Sequence, residues 1–98
     1  MKVLTGKQKR FLRAQSHHLK AIFQVGKSGV TDNMIEQLKS VLEKRELIKI
    51  AVLQNCLVEK DEVAKEIAKR TQAEIVQIIG RNIILYKESD ENKQIVLP

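Results

Sequence analysis

Apolar residues recur along the middle of the chain at helical spacing, and two such sets predict two amphipathic helices. The first set, spaced one to four residues apart, consists of Met34, Ile35, Leu38, Val41 and Leu42. The second set consists of Val63, Ala64, Ile67 and Ala68. Thr31 or Asp32 can cap the first of these helices, and we predict that Asp61 caps the second.

Four shorter apolar runs are typical of strands. They are Ala21–Val25, Leu47–Leu53, Glu74–Ile79 and Ile83–Lys87. Within the second run, Ile48, Ile50 and Val52 alternate with other residues and therefore share one face of a sheet. The last two runs are separated by Gly80-Arg81-Asn82, which predicts a tight hairpin.

The N-terminal segment predicts a further helix. The stretch Thr5-Gly6-Lys7-Gln8 has the form of a capping box, so a helix should run from there to about Gln15 or His18. Phe11 and Leu12 would face inward. If the helix continues, side chains at three- and four-residue steps line one outward stripe. These are Arg10, Arg13, His17 and Lys20.

The resulting order, α-β-α-β-α-β-β, predicts a single α/β domain with parallel crossovers closed by one antiparallel hairpin. We assign residues 1–98 to this domain and its core to about residues 3–87. The polar segment Glu88–Asn92 is expected to be mobile. The apolar end Ile95–Leu97 is expected to dock at a place that the pattern does not specify.

Positive charge is concentrated at the start of the chain. The net charge is +6, but the first 30 residues hold seven Lys or Arg and no acid, whereas residues 31–98 hold 11 basic and 12 acidic residues. Segregated charge of this kind is the footprint expected for a polyanion such as nucleic acid. Two Phe, one Tyr and no Trp argue against base stacking as the main means of recognition.

The stretch VGKSGVT, residues 25–31, allows two kinds of phosphate chemistry. A nucleotide-binding P-loop would need glycine at position 21, which holds Ala21, and a strand directly before Gly26 leaves too little chain to surround a triphosphate. A Gly-x-x-Gly loop that contacts an RNA backbone needs only the two glycines, exposed amides and a helix N-terminus nearby. Together with the basic N-terminal segment, the stretch favours RNA.

Four stretches together resemble the CRM family (chloroplast RNA splicing and ribosome maturation), in its stand-alone, YhbY-like bacterial form. They are LTGKQKRFLRAQSHHL, VGKSGVT, ELIKI and AEIVQIIGRNIILYK, and the resemblance covers about residues 3–87. It implies a four-stranded mixed sheet with packed helices, similar to the C-terminal domain of the third bacterial initiation factor. It also implies that Gly26, Lys27, Ser28 and Gly29 contact RNA.

The resemblance further implies a role for the chain with precursors of the large ribosomal subunit, to which bacterial single-domain members are linked. Many relatives have proline near the position of Ala21, so this chain departs from the family there. The candidate RNA-binding residues, from the basic segment, the loop and the hairpin, are Lys7, Lys9, Arg10, Arg13, Lys20, Gly26, Lys27, Ser28, Gly29, Thr31 and Arg81.

The sequence contains no nucleophile–base set and no metal-ligand spacing, so we expect no catalytic site, metal or cofactor. Short apolar runs and the single Cys56 predict a cytoplasmic protein that does not enter a membrane. Three alternatives stay open: a protein-interaction adaptor that uses the apolar tail or a sheet edge, a regulator of non-ribosomal RNA, and a nucleotide-dependent enzyme.

Overall fold

The computed structural model describes residues 4–98 and contains the predicted elements in the predicted order. The helices are α1 (Gly6–Ser16), α2 (Asp32–Arg45) and α3 (Lys60–Thr71), and the strands are β1 (Ala21–Val25), β2 (Leu47–Val52), β3 (Glu74–Ile79) and β4 (Asn82–Tyr86). The α-β-α-β-α-β-β prediction is therefore confirmed, with strand ends displaced by one residue at most. Val3, with which the predicted core begins, lies outside the described residues.

The strands form one mixed sheet in the order β1-β2-β4-β3. Strand β1 is parallel to β2, and β4 is antiparallel to both of its neighbours. Strands β2 and β3 run in the same direction but do not pair, because β4 lies between them. The ends of β1, β2 and β3 and the start of β4 therefore share one edge of the sheet, which we call the GKSG edge.

Each face of the sheet has its own apolar core. Helices α2 and α3 cover one face, where Ile48, Ile50 and Val52 of β2 are buried. Helix α1 covers part of the other face, where Leu12 packs with Leu47 of β2. The alternation of β2 side chains thus supplies both cores, as expected for a strand buried on both faces.

Two of the three predicted helix N-caps are confirmed. Thr5 and Gln8 form the reciprocal capping box of α1, with N···O distances of 3.1 and 3.0 Å, and Thr31 caps α2. The prediction that Asp61 caps α3 is wrong. That helix begins at Lys60, whose Nζ donates to the carbonyl of Gly80, and Asp61 lies in the first turn, where its charge favours the helix dipole.

The C-terminal segment is held by two carboxylates near the end of α2, so the prediction that it is mobile is wrong. Glu46 accepts hydrogen bonds from the backbone N–H groups of Ser89, Gln94 and Ile95 at 2.8, 2.6 and 2.9 Å. Glu43 accepts from the Ser89 hydroxyl at 2.5 Å and from the two following amides. The segment consists largely of polar residues, but it is ordered, because its hydrogen bonds go to acids more than 40 positions earlier in the chain.

The apolar end of the chain docks against α1, which supplies the location that the sequence pattern left open. Ile95 and Leu97 pack beside the buried cluster that contains Leu4, Leu12 and Tyr86. Val96 between them is 86% exposed. The end of the chain thus covers one side of α1 and helps to fix that helix on the sheet.

Replacing Glu46 with Ala should destabilise the domain by about 2–3 kcal/mol, because three backbone donors lose a charged acceptor. Glu46 has φ +65°, and Ala keeps the same backbone strain, so the substitution isolates the carboxylate. Urea denaturation measures the effect. The matched control is Glu36→Ala, which removes an exposed acid paired only with Lys39 at 3.7 Å. Equal stability of the two variants would contradict the anchoring role.

Acid should release the Glu43 anchor. Hydrogen bonds from Ser89, Asp90 and Glu91 lower the pKa of Glu43 from 4.5 to about 2. A depressed folded-state pKa gives stability that is complete above the unfolded value and is lost as pH falls from about 4.5 towards 2. The stability difference between wild type and Glu43→Gln, measured by denaturation at several pH values, should therefore shrink over that window. A stability difference that does not change with pH would refute the anchoring role of the Glu43 carboxylate.

Candidate nucleic-acid interface

The GKSG stretch forms a tight turn at the end of β1. The Gly29 N–H donates to the Gly26 carbonyl at 3.0 Å, which closes a four-residue β-turn with Lys27 and Ser28 at its exposed centre. Gly29 has φ +68°, a conformation that glycine adopts at little cost. The turn has only four residues and begins directly after the last residue of β1. It therefore does not surround a space large enough for a triphosphate.

The centre of the turn presents unused donors. Within residues 4–98, the amide N–H groups of Lys27 and Ser28 have no hydrogen-bond partner, and Lys27 has no ion-pair partner. Thr31 lies at the start of α2, where its Oγ1 accepts from the Met34 amide at 3.1 Å. Thr31 is therefore a helix cap, and its hydroxyl proton remains available as a hydrogen-bond donor.

The β3–β4 hairpin brings Arg81 to the same edge of the sheet. The Arg81 carbonyl accepts from the Val52 amide at 2.7 Å, which ties the hairpin to the end of β2. Because β4 lies two strand positions from β1, the backbones of Arg81 and Lys27 are roughly 10 Å apart sideways. Arg81 is exposed and has no ion-pair partner among the described residues. The sequence did not predict that Lys60 of α3 would contact this hairpin, because nothing local relates the two segments.

Helix α1 does not reach the GKSG edge. Leu12 packs with Leu47 and Tyr86, the first residue of β2 and the last residue of β4. The helix therefore crosses the sheet towards the opposite edge. The concentration of charge predicts that the first helix and the GKSG loop form one continuous positive surface. The structure corrects this prediction, because partly exposed sheet lies between them.

Next to the GKSG edge, the uncovered face of the sheet presents a row of four side chains. We call this row the open row. Its members are joined by strand pairing and consist of Gln24, Ala51, Asn82 and Ile79. All four are at least partly exposed, and none is charged. The row provides a neutral, shallow floor between the turn and α1.

The basic residues of α1 point in several directions. Lys7 and Arg10 are exposed, and the Arg10 side chain lies back over Gly6. Arg13 is half-buried on the flank of the helix away from Gln8, which donates to the carbonyl of Pro98. Arg13 therefore lies on a different side of α1 from the docked tail.

Lys20 does not continue the predicted stripe, and Lys9 lies in a different part of the fold. Lys20 is not on α1, because the helix ends at Ser16, and it lies instead directly before β1. Lys9 lines a groove with Lys65 and Lys69 beside the start of β3. Strand β3 is the far edge strand from β1, so Lys9 lies diagonally across the sheet from Lys27.

The described residues suggest no other chemistry. Within residues 4–98, no group of three His, Cys, Asp or Glu side chains is placed to hold a metal ion, and no helix in that range is long and apolar enough to cross a membrane. A cavity of about 500 Å³ lies beside Arg81 and is lined in part by Cys56 and Leu57. Leu57 is 80% exposed, so the cavity is an open groove.

Comparison with known proteins agrees with this architecture. The model of the CRS1 / YhbY (CRM) domain matches residues 4–87. The chain belongs to that family. It is 62% identical to the probable RNA-binding protein YqeI of Bacillus subtilis, over 98% of this chain and all of the relative. It is 36% identical to an RNA-binding protein of Haemophilus influenzae, over 95% of this chain and 94% of the relative.

A solved structure shows the same fold. The solution structure of SAV1595 from Staphylococcus aureus is 52% identical in sequence and superposes with a TM-score of 0.81, over 98% of this chain and all of that one. The mixed four-stranded sheet with three packed helices, expected from the sequence resemblance, is thereby confirmed.

The two loop glycines should differ in their tolerance of a side chain. Gly29→Ala forces φ +68° on an L-residue and should destabilise the domain by about 1 kcal/mol. At Gly26 an added Cβ would meet Asn55 and Leu53 at 3.5 and 3.6 Å, which are ordinary contacts, so Gly26→Ala should change stability by less than about 0.5 kcal/mol. Urea denaturation of the two variants provides the comparison. A larger loss at Gly26 would mean that the turn has another conformation.

Proposed function

We propose that this protein binds RNA without catalysing a reaction and holds the RNA backbone at the GKSG turn. The observation that carries this proposal is the exposed turn itself, with two unpaired amides and an unpaired lysine at the centre. Successive free N–H groups on such a turn form a concave donor set that suits an anion. Lys27 adds a full positive charge at the same point.

The surroundings of the turn favour a polymer over a single nucleotide. Arg81 offers a second cation at the same edge, roughly 10 Å away in the plane of the sheet. The open row between the turn and α1 lets a strand approach closely, and the amides of Gln24 and Asn82 can bond to 2′-hydroxyl groups or bases. Phosphate and sugar contacts of this kind position a nucleic acid with modest base specificity.

The family relatives support RNA as the polymer. The Bacillus subtilis and Haemophilus influenzae proteins are both named for RNA binding. Following the resemblance to stand-alone bacterial members, we propose that the RNA is ribosomal, in precursors of the large subunit, and that the protein works in the cytoplasm. Crosslinking in cells with ultraviolet light, followed by mapping of the bound RNA, tests this assignment. Enrichment in large-subunit RNA is expected, and an even spread over messages would point to a non-ribosomal regulator.

The alternatives have less support. An adaptor that uses its apolar tail would need free side chains there, but Ile95 and Leu97 are packed on the α1 cluster. A nucleotide-dependent enzyme would need a longer phosphate loop than the four-residue turn. An adaptor would bind a protein partner in the presence of ribonuclease and at high salt. Magnesium-dependent binding of ATP would support the alternative that the protein is a nucleotide-dependent enzyme.

Reversing the charge of Lys27 should weaken RNA binding without unfolding the domain. Lys27→Glu places a carboxylate at the proposed phosphate site, so affinity should fall about tenfold and the salt slope should fall by about 1. Fluorescence anisotropy with a labelled RNA measures both. Lys39→Glu is the matched control, because it makes the same charge change on α2, where Lys39 is paired with Glu36. Equal losses in the two variants would show that only net charge matters.

Binding by the wild-type protein should depend strongly on salt. If about four phosphates are neutralised, log K should fall with log salt with a slope of roughly −3 to −4. The measurement is a series of anisotropy titrations between low and physiological ionic strength. An affinity that does not change with salt would exclude phosphate contacts as the main source of binding.

A further inference from the structure

A cavity at the edge opposite the GKSG turn collects four side chains that are or can be positively charged. The cavity has a volume of about 260 Å³ and lies where β1 and β2 begin. Its charged or titratable lining consists of His18, Lys20, Arg45 and Lys49. No Asp or Glu lines it. Three of the four, His18, Arg45 and Lys49, are not among the residues that the sequence nominated for RNA binding.

None of these side chains has a partner in the described part of the chain. No hydrogen bond or ion pair within residues 4–98 involves the side chains of Lys20, Arg45 or Lys49. Lysine and arginine at the last turn of a helix are common, because they favour its dipole, and that accounts for Arg45 alone. Lys49 is different, because it is half-buried in a central strand. A lysine in this position buries its aliphatic stem and keeps its ammonium group in solvent at the cavity, where an anion can reach it.

The docked tail keeps nearby acids away from this cluster. Glu46 is adjacent to Arg45 in sequence, but its carboxylate accepts three backbone N–H groups of the tail. Glu43 is likewise occupied by Ser89 and the residues after it. The two acids nearest to Arg45 in sequence are therefore bound elsewhere.

We propose that this cavity is a second backbone-phosphate site for the same RNA strand that the GKSG turn holds. Strand β1 connects the two sites directly, since Lys20 precedes it and Gly26 follows it. Six residues of extended chain span roughly 20 Å. At a rise of about 3.4 Å per nucleotide, a stacked strand covers that distance with about six nucleotides.

The path along β1 suits an RNA backbone. β1 is an edge strand, and its outer backbone groups have no ladder partner within residues 4–98. Ile22 and Gln24 are exposed along it, and no acid occurs between residues 18 and 31. The inference rests on the proposed function and extends it, because it fixes a minimum RNA length and a direction of approach.

The test compares two single-stranded RNAs of mixed sequence, one of 12 nucleotides and one of four. Arg45→Gln with Lys49→Gln should weaken binding of the longer RNA about tenfold and reduce the salt slope by about 1.4, which is two contacts at about 0.7 each. A stacked RNA of four nucleotides spans about 14 Å and does not bridge the two sites, so its affinity should fall much less than that of the longer RNA. Lys44→Gln is the matched control, because Lys44 neighbours Arg45 but does not line the cavity. Lys49→Arg, which keeps the charge, should bind the longer RNA as wild type does.

The outcomes separate the inference from the proposed function. If the double variant binds the longer RNA like Lys44→Gln while Lys27→Glu remains weak, the second site is wrong and the turn stands. If wild type binds neither RNA in a salt-dependent way, the proposed function itself fails. Calorimetry with inorganic phosphate distinguishes the source of the anion. Saturable phosphate binding that the double variant loses, with RNA affinity unchanged, would assign the cavity to a free anion and overturn the RNA path.

Discussion

The pairing of β2 with β4 is the constraint on which the rest of the structure depends. These two central strands carry buried side chains on both faces, so α2 and α3 pack on one side and α1 on the other. Because β4 lies between β2 and β3, the β3–β4 hairpin returns to the edge where β1 ends. That topology, rather than any local motif, places Arg81 beside the GKSG turn.

Basic and acidic residues are separated along the chain and have different roles. Basic residues dominate the first 30 positions, and every acid lies later. Several later acids are occupied within the protein: Glu43 and Glu46 hold the tail, and Asp32 and Glu66 pair with Arg70. Within the described residues 4–98, the cations beside β1 and at the turn have no ion-pair partners. An unbalanced surface of this kind attracts polyanions over long range.

Much of the fold could be predicted from the sequence, because its signals are local. The pattern of apolar residues predicted six of the seven elements, and the Thr5–Gln8 capping box predicted α1 and its start. The turn at Gly26–Gly29 could be located because glycine is favoured where φ is positive, as it is at Gly29. The cap of α3 was mispredicted because its start depends on a contact between Lys60 and a hairpin 20 residues later.

The parts that could not be predicted depend on contacts distant in sequence. The tail is polar, yet it is ordered by Glu43 on α2 and by Glu46 directly after that helix, and no periodic pattern predicts such a pairing. The uncovered sheet between α1 and the turn could not be foreseen either, since the position of α1 follows from where Leu12 packs. Arg45 and Lys49 lie on different elements, and only the fold brings them together at one cavity.

The central claim, that RNA lies across the GKSG edge and along β1, is tested most directly by nuclear magnetic resonance of the labelled protein with a 12-nucleotide RNA. The account predicts that backbone amide signals shift for residues 20–29, near Arg81 and around Arg45 and Lys49, while the rest of α2 and all of α3 stay unchanged. Shifts confined to the groove of Lys9, Lys65 and Lys69, with the turn unaffected, would contradict it.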